Sequence, residues 1–357
     1  MKTLRIQKTR VSFLKAPLIQ PFRTALGQHD SLDNILFTIE LDGGKKGFGE
    51  AAIATHITGE TREETIKNLT LAGNFLQGRD IADYLRISAA LHERFPGNQA
   101  AIAAIETAIF DVFAQALQVP LWKLFGNTSR RLSTDITIVI ADLAETEYAV
   151  KNFYRSGFRR FKVKIGRDQD LDFKRVEAVS RVGKNSEIYL DANQGYSAKE
   201  TLRFLALLKR KHIIPVLIEQ PVPKEDWEGL KRVTRLSGIT VCADESVRTL
   251  KDCLRAIREK AVNAINIKLM KSGFVHAREI AVTARAAGMD LMIGGMMESS
   301  LAMTAAAHLA CGLGCFRYID LDTPFFIKKG IEKNPYLSSR GIYDLRGGAA
   351  GIGITPL

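Results

Sequence analysis

The sequence has no long apolar run. None of its hydrophobic stretches approaches the length of about 20 residues that a membrane-spanning helix needs. The first residues, MKTLRIQKTRVSFLK, alternate between apolar and polar side chains as a strand does, and they lack the continuous apolar segment of a secretory signal. We therefore expect a globular protein of the cytoplasm that has no membrane partner.

Cysteine is also scarce, with four residues among 357. The cysteines form neither a CxxC motif nor a cysteine and histidine spacing typical of zinc sites, so a structural zinc ion is disfavoured. They are expected to be buried free thiols, and they are Cys242, Cys253, Cys311 and Cys315.

Acidic residues are in the minority, since 51 Lys and Arg face 39 Asp and Glu and give a net charge of +12. Nucleic-acid binding needs basic residues clustered on one face. Here they are spread along the chain without interleaved aromatic residues, as in KRKH at 209–212. A solvated basic surface is the better interpretation, and no nucleic-acid partner is expected. A basic nucleic-acid-binding protein built on an inactive barrel is the alternative from a different class.

The length allows two domains, and a hydrophobic content of 46% is enough for a full core. Residues 1–125 predict an α+β capping domain. Two strands, at about 3–15 and 33–42, are joined by the polar stretch PLIQPFRTALGQHDS and followed by GFGEA. The strongest helical period runs from Asn98 to Leu117.

A different pattern begins at Thr134. Seven helical segments, one of which opens with the capping-box residues Ser197 and Glu200, separate eight apolar strands: TDITIVI, FKVKIG, EIYLDAN, VLIEQP, TVCADES, AINIKLM, DLMIGGMMES and FRYIDLD. Such strands predict an α/β fold with a parallel sheet buried on both faces, a modified TIM barrel of the (β/α)7β form, over residues 126–323. Residues 324–357 are expected to pack back on the capping domain.

One charged residue ends each of five successive strands. They follow at intervals of 27, 28, 25 and 24 residues, and they are Lys164, Asp191, Glu219, Asp244 and Lys268. An apolar strand seldom ends in a charge unless that charge points into a site, because burying a lone charge is costly. A barrel enzyme has its site at these carboxyl ends, so the residues are expected to meet there.

The three acids would project from the third, fourth and fifth strands. Carboxylates without His or Cys form a hard oxygen site, which suits Mg²⁺ with open positions for substrate oxygens. Acids in unrelated surface turns are a reasonable alternative for any one of them, but less so for all three at the same point of consecutive units. Without a cation they would repel one another.

The lysines come from opposite sides of the predicted ring. Lys162 and Lys164 are two apart on the second strand and share a face, while Lys268 lies four strands away. Two amines facing each other across a bound substrate can remove a proton from one side and return it to the other. A lysine acts as a base only when its pKa is lowered, and Lys162 and the metal would do this for Lys164. Lys162 and Mg²⁺ would also stabilise an enediolate.

Asp320 and Asp322 follow the eighth strand, again two apart. A lone Asp before Pro324 would be interpreted as a helix cap or a turn residue. The pair at a barrel strand end instead predicts a receptor for a cation, and an α-ammonium group is the natural candidate.

These residues resemble the enolase superfamily, and within it the muconate-lactonising subgroup, which has KxK on the second strand, Asp, Glu and Asp on the next three, and Lys on the sixth. The resemblance covers essentially the whole chain, including GFGEA, DANQGY, IEQP, ADES and INIKLMKSG. It implies Lys164 and Lys268 as the acid/base groups, Lys162 as electrostatic support, and Asp191, Glu219 and Asp244 as Mg²⁺ ligands. The D-x-D of IDLDTP is similar to that of dipeptide epimerases, which implies that Asp320 and Asp322 hold the substrate ammonium.

One departure from that family concerns specificity. Members specific for Ala-Glu carry an arginine after a PFxTAL motif, whereas Gly27 follows PFRTAL here, with Arg23 as a less suitable substitute.

Four apolar residues indicate an apolar pocket for the substrate side chain, although core methionines explain the pattern about equally well. They are Met296, Met297, Ile53 and Ile57. The sequence therefore predicts an epimerase of Ala-Xaa dipeptides with a small or apolar Xaa, expected to be a homo-oligomer. The alternatives are N-succinylamino acid racemase, o-succinylbenzoate synthase and muconate cycloisomerase.

Overall fold

A computed structural model of the chain describes residues 4–126, 129–328 and 334–356. Three antiparallel strands form the first sheet: β1 (Ile6–Arg23), β2 (Gln28–Leu41) and β3 (Lys46–Ala51). Four helices follow them: α1 (Thr55–Thr58), α2 (Arg62–Leu76), α3 (Tyr84–Arg94) and α4 (Gln99–Ala116).

The α4 helix packs directly on the sheet. Gly47 and Gly49 of the GFGEA motif lie so close to it that a Cβ on either glycine would clash with a carbonyl oxygen of α4. Of the 18 residues of α4, 14 are buried. The predicted helix from Asn98 to Leu117 is confirmed to within one residue at each end.

The first hairpin differs from the prediction. Its strands run to Arg23 and from Gln28, so only Thr24–Gly27 forms the turn and the expected polar linker is wrong. Alternate burial of Leu14, Ala16 and Leu18 explains this, because Lys15 and Pro17 between them occupy the exposed face of an extended strand.

The described residues after α4 contain ten strands and seven helices. They are β4 (Arg131–Ser133), β5 (Ile136–Ile138), α5 (Leu143–Arg155), β6 (Arg160–Lys164), α6 (Gln169–Val182), β7 (Glu187–Asp191), α7 (Ala198–Arg210), β8 (Leu217–Glu219), α8 (Trp227–Ser237), β9 (Thr240–Ala243), α9 (Leu250–Glu259), β10 (Ala264–Lys268), α10 (Leu269–Ala286), β11 (Asp290–Gly294), α11 (Ser300–Leu313), β12 (Tyr318–Ile319) and β13 (Ile342–Asp344). Short 3-10 helices occur at Ile81–Asp83, Leu121–Phe125 and Thr323–Phe325.

Strands β5 to β12 form one eight-stranded sheet in sequence order, with every recorded pairing parallel. The Asp135 N–H donates to the Ile319 carbonyl at 2.9 Å and joins the first strand to the last. The predicted (β/α)7β barrel with an α+β capping domain is thereby confirmed. The Ser197 and Glu200 capping box at the start of α7 is confirmed as well.

The C-terminal segment contacts both parts of the chain. The Leu121 N–H donates to the Gly351 carbonyl at 2.8 Å, and the Ile352 N–H donates to Asp111 Oδ1 of α4 at 2.7 Å. Strand β13 pairs with β4 beside the barrel. The domain limits 1–125, 126–323 and 324–357 stay predictions.

The helices and the cysteines bear on two expectations from the sequence, namely that no helix spans a membrane and that the cysteines are buried free thiols. Within the described ranges, no helix is both long and apolar enough to cross a membrane. All four cysteines are free, and Cys242, Cys253 and Cys311 are buried as predicted. Cys315 is only partly buried, because it follows Gly314, where α11 ends.

Candidate active site

The predicted charged residues meet at one end of the barrel. Asp191, Glu219 and Lys268 are the last residues of β7, β8 and β10, and Asp244 follows β9 directly. Because parallel strands have their carboxyl ends at the same edge, their side chains converge on one interior region. Every member of the set is buried: Lys162, Lys164, Asp191, Glu219, Asp244 and Lys268.

The two outer lysines bind different carboxylates. Lys164 Nζ donates to Asp191 Oδ2 at 2.7 Å, and Lys268 Nζ donates to Asp244 Oδ2 at 2.7 Å. In the eight-stranded ring, β6 and β10 are separated by three strands on either side. The two amines therefore approach the centre from opposite walls.

Lys162 lies between the acids. Its Nζ is 3.1 Å from Asp191 Oδ2, 2.8 Å from Glu219 Oε2 and 2.6 Å from Asp320 Oδ2. Burial alone would lower the pKa of Lys162, but the surrounding carboxylates outweigh it and raise the pKa well above its usual value. Lys162 is thus a fixed cation that links the predicted metal ligands to the Asp320 carboxylate.

The carboxylates also control the pKa of Lys268. Burial acts to lower that pKa, yet the charges of Asp244 and Glu219 raise it above the usual value of a lysine. The lowered pKa that a lysine base needs is therefore opposed at Lys268 while Asp244 binds its amine. A cation bound to Asp244 would offset the negative charge of this carboxylate and make the Lys268 amine easier to deprotonate.

Neighbouring residues orient the carboxylates. Asn266 Nδ2 donates to Glu219 Oε1 at 2.7 Å, and the Asn193 N–H donates to Asp191 Oδ1 at 3.0 Å. Within the described part of the chain, Glu219 Oε2 accepts no hydrogen bond, because Lys162 Nζ is near it but not aligned with it. Burial, followed by the charge of Asp191, raises the pKa of Glu219 to about 7. A buried, hydrogen-bond-free carboxylate oxygen beside other acids fits a hard divalent cation.

Sequence reasoning missed several residues that hold this site together. Gln220 Oε1 accepts the N–H groups of Asp244 and Ser246 at 3.0 and 3.1 Å. Lys271 Nζ donates to Asp244 Oδ1 at 2.8 Å and to the Asn266 carbonyl at 2.7 Å. The IEQP and INIKLMKSG motifs contain both residues, so the signal was present, but their roles depend on contacts between strands.

Asp320 and Asp322 lie just beyond β12. Asp320 Oδ2 binds Lys162, while Asp322 Oδ2 accepts the Thr137 N–H of β5 at 2.5 Å. Burial, followed by the charge of Asp320, raises the pKa of Asp322 to about 7. Among the described residues, the set of three carboxylates with oxygens within 4.8 Å of one another is Asp135, Asp320 and Asp322, and not the predicted metal trio.

A cavity opens above these groups between the barrel and the capping domain. Lys162, Lys164, Lys268, Asp320 and Asp322 line its charged side. The other wall is largely apolar and contains Phe22, Ala54, Ile57, Met296 and Met297, with Thr24 and His29 near the first hairpin. The predicted pocket residues Met296, Met297 and Ile57 thus share one cavity.

Two residues named from the sequence lie elsewhere. Ile53 packs with the capping-domain core, and its N–H donates to Asn34 Oδ1 at 3.4 Å. Arg23 donates from Nε to Gln28 Oε1 at 2.9 Å on the exposed hairpin. Among the described residues that line the cavity there is no arginine.

Comparison with known proteins shows where the chain belongs. Residues 145–357 match the enolase C-terminal domain-like family, and residues 8–126 match the N-terminal domain of the mandelate racemase / muconate lactonizing enzyme family. A hydrophobic dipeptide epimerase of Citrifermentans bemidjiense is 45% identical and aligns with 99% of this chain and 98% of its own length.

Two solved structures are also similar over the whole fold. The dipeptide epimerase from Enterococcus faecalis, complexed with Mg and the dipeptide L-Leu-L-Tyr, has a TM-score of 0.94 at 34% identity and covers 99% of this chain and 100% of that one. A substrate-liganded complex of the L-Ala-D/L-Glu epimerase from Bacillus subtilis has a TM-score of 0.96 at 31% identity, with the same coverage. This chain belongs to the enolase superfamily, in its mandelate racemase and muconate-lactonizing group, as the sequence resemblance predicted.

Proposed function

We propose that this protein is a magnesium-dependent dipeptide epimerase. It would invert the α-carbon of the C-terminal residue of Ala-Xaa dipeptides in which Xaa has a small or apolar side chain. The observation that carries the proposal is the pair of buried amines, Lys164 and Lys268, which reach one cavity from strands on opposite sides of the ring. Inversion through a planar intermediate needs one proton-transfer group on each face of the α-carbon.

Each lysine has a distinct task. The neutral amine of Lys164 removes the α-proton of one epimer, while the ammonium of Lys268 delivers a proton to the opposite face. For the other epimer the two roles are exchanged. Lys162 remains protonated throughout, because three carboxylates surround its Nζ, and it stabilises the negative charge that develops on the substrate carboxylate.

Asp191, Glu219 and Asp244 would hold the Mg²⁺ ion. When bound there, the ion supplies a Lewis acid for the substrate carboxylate and makes the adjacent α-proton more acidic. Asn266 and Asn193 keep Glu219 and Asp191 turned towards the site. Outer contacts of this kind typically change metal affinity about 10- to 100-fold.

The substrate orientation follows from charge. Asp320 and Asp322 attract the α-ammonium of the first residue, which leaves the second side chain to point towards the apolar wall. Phe22, Ile57 and Met297 offer that side chain hydrocarbon contacts. A glutamate side chain would enter this wall without a cation, so Ala-Glu should be a poor substrate.

The same charges disfavour the alternative substrates. A succinyl group would bring a carboxylate towards Asp320 and Asp322, where like charges repel. N-succinylamino acid racemisation, o-succinylbenzoate synthesis and muconate cycloisomerisation are therefore less suited to this cavity than dipeptide epimerisation. The L-Leu-L-Tyr complex of the Enterococcus faecalis relative supports the same choice.

The decisive experiment follows α-proton exchange. The purified protein is incubated in D₂O with Mg²⁺ and a panel of Ala-Xaa dipeptides, and deuterium at the second α-carbon is measured by NMR and mass spectrometry. We expect exchange and epimerisation with Ala-Val, Ala-Leu or similar dipeptides. Exchange with Ala-Glu alone would reject the proposed specificity, and exchange with N-succinylamino acids alone would reject the dipeptide activity.

Single lysine variants test the two-base assignment. Lys164→Gln and Lys268→Gln are each expected to lose epimerisation by about 10²- to 10⁴-fold, the usual contribution of one acid/base group. Each variant should still exchange the α-proton of one epimer, and the retained epimer should differ between the two. Lys260→Gln is the matched control, because Lys260 is exposed where α9 ends. Loss of exchange with both epimers in both variants would contradict separate bases.

The proposal also includes a cytoplasmic location and a homo-oligomeric state. Both rest on expectations from the sequence, as does the absence of a nucleic-acid partner. Light scattering of the purified protein measures the oligomeric state, and a gel-shift assay at low salt tests nucleic-acid binding.

A further inference from the structure

A third carboxylate lies behind Asp320 and Asp322. Asp135 comes directly before β5 and is fully buried. Its N–H donates to the Ile319 carbonyl at 2.9 Å, and this barrel-closing bond brings it beside the segment that follows β12. One oxygen from each of Asp135, Asp320 and Asp322 lies within 4.8 Å of the other two. We call these three residues the acidic cluster.

Asp135 is the member of the acidic cluster without a hydrogen-bond donor. Asp320 binds Lys162 Nζ at 2.6 Å, and Asp322 accepts the Thr137 N–H at 2.5 Å. Both side-chain oxygens of Asp135 are buried and accept no hydrogen bond from the described residues. Burial and the charges of Asp320 and Asp322 raise the pKa of Asp135 well above its usual value, so its carboxylate form needs a cation close by. The charge of Lys162 acts on Asp135 without a hydrogen bond to it, so both oxygens can still pair with a cation that a ligand brings.

The acidic cluster suits a cation that can donate several hydrogen bonds. Its three oxygens lie no more than 4.8 Å apart, so one small cation among them can be near all three. An ammonium group carries three N–H donors and no acceptor, so it can direct one donor to each carboxylate. Asp320 and Asp322 line the cavity, as does Thr137 of β5, whereas Asp135 directly precedes that strand and is not part of the cavity wall.

We propose that Asp135 is a third, buried carboxylate of the receptor for the substrate α-ammonium, and that its charge favours substrates with a free amino group over those that lack one. The inference rests on the proposed dipeptide activity and extends it to a residue outside the cavity wall. Asp135 acts on binding and specificity. It does not take part in proton transfer at the α-carbon, where Lys164 and Lys268 act.

The test combines one substitution with one change in the substrate. Asp135→Asn keeps the side-chain shape and removes the charge. Wild type and variant are each assayed with Ala-Leu and with its desamino analogue, propionyl-Leu, and kcat and KM are obtained from α-proton exchange. For Ala-Leu we expect KM to rise about 10- to 100-fold in the variant with kcat changed less than about threefold, as lost charge pairing predicts. For propionyl-Leu we expect no increase in KM.

The outcomes separate this inference from the activity on which it rests. A KM for Ala-Leu that is unchanged in Asp135→Asn, or that rises equally with both substrates, would overturn the inference and leave the epimerase proposal intact. Absence of exchange by the wild-type protein with every dipeptide would overturn both. If Asp135→Asn does not fold, Asp135→Ser removes the charge with a smaller side chain and is assayed in the same way.

A control variant excludes a general effect of removing a buried acid. Asp111→Asn changes a buried carboxylate in α4 that accepts the Ile352 N–H at 2.7 Å and does not line the cavity. It is expected to affect stability without a difference between Ala-Leu and propionyl-Leu. The same substrate-dependent change in Asp111→Asn would remove the support for Asp135.

Discussion

The guanidinium of Arg175 donates to the backbone carbonyl of Lys164 at 2.8 Å. Arg175 lies on α6, is completely buried, and also donates to the Val139 carbonyl at 2.6 Å and to Asp172 Oδ1 at 3.3 Å. The Arg175 side chain therefore connects the carboxyl ends of β5 and β6 to α6 by hydrogen bonds. The position of the Lys164 amine depends on these hydrogen bonds.

Arg175→Met is expected to destabilise the protein by about 3–5 kcal/mol, because it removes one partner of a buried ion pair and leaves carbonyl groups without donors. Turnover should fall further than the folded fraction, since the backbone of Lys164 is released. Urea unfolding and kcat measured on the folded protein test this. Arg181→Met on the exposed side of α6 is the control. Equal stability of the two variants would contradict the anchoring role.

Gln220 gives the second prediction. Its Oε1 accepts two N–H groups that flank the Asp244 carboxylate, and its Nε2 donates to the Val222 carbonyl at 2.9 Å. Gln220→Leu should lower Mg²⁺ affinity by about 10- to 100-fold, because Asp244 loses its fixed backbone position. Calorimetric titration with MgCl₂ measures the change.

Gln115→Leu is the matched control for Gln220. Gln115 donates to the Lys46 carbonyl at 2.7 Å on the exposed side of the capping domain. Magnesium affinity should be unchanged in that variant. Weakening to the same extent in both would show that Gln220 has no specific effect on the metal ligands.

The strand-end charges were predictable because a parallel barrel brings every strand's carboxyl end to one edge. Only the order and spacing of these charged residues were needed to predict that they meet. The structure brings all of them together, and they are Lys164, Asp191, Glu219, Asp244 and Lys268. Asp320 and Asp322 were found by the same argument, although β12 itself ends at Ile319.

Asp135 was not predictable by that route. Asp135 precedes its strand, whereas the predicted site residues end theirs. In the segment TDITIVI it therefore looks like an ordinary residue beside a strand. Its neighbours Asp320 and Asp322 are more than 180 positions away in the sequence, and they meet it only when β5 and β12 close the ring. Gln220 and Lys271 were missed for the same reason, since each acts across a strand boundary.

The third prediction concerns the pH dependence of stability. His308 is buried in α11, with Nδ1 accepting the Trp122 N–H at 3.1 Å and Nε2 facing the Ile352 carbonyl at 3.1 Å. Burial lowers the pKa of His308 to about 4 from its usual 6.5. The unfolded chain therefore binds a proton at a higher pH than the folded chain does.

Stability is expected to fall as pH decreases from about 6.5 towards 4, with a loss of about 2 kcal/mol at pH 5 relative to pH 7.5 from this residue. Urea unfolding of wild type and His308→Gln at the two pH values measures it, and the variant should show a smaller decrease. His212→Gln, at an exposed position, should behave as wild type. An equal decrease in all three proteins would assign the effect to other groups.

The last prediction concerns the missing cation of the side-chain pocket. Gly27 closes the turn of the first hairpin, where its carbonyl accepts the Thr24 N–H at 2.9 Å, and both Thr24 and His29 line the cavity. Gly27→Arg should bring a guanidinium to the apolar wall and allow it to pair with a glutamate side chain. We expect kcat/KM for Ala-Glu to rise about tenfold relative to Ala-Leu, measured by α-proton exchange with the two dipeptides in competition.

Gly27→Met is the control for the charge of the introduced arginine. It supplies a long side chain without charge and should favour Ala-Leu. A rise for Ala-Glu in both variants would show that turn flexibility, and not charge, excludes the glutamate.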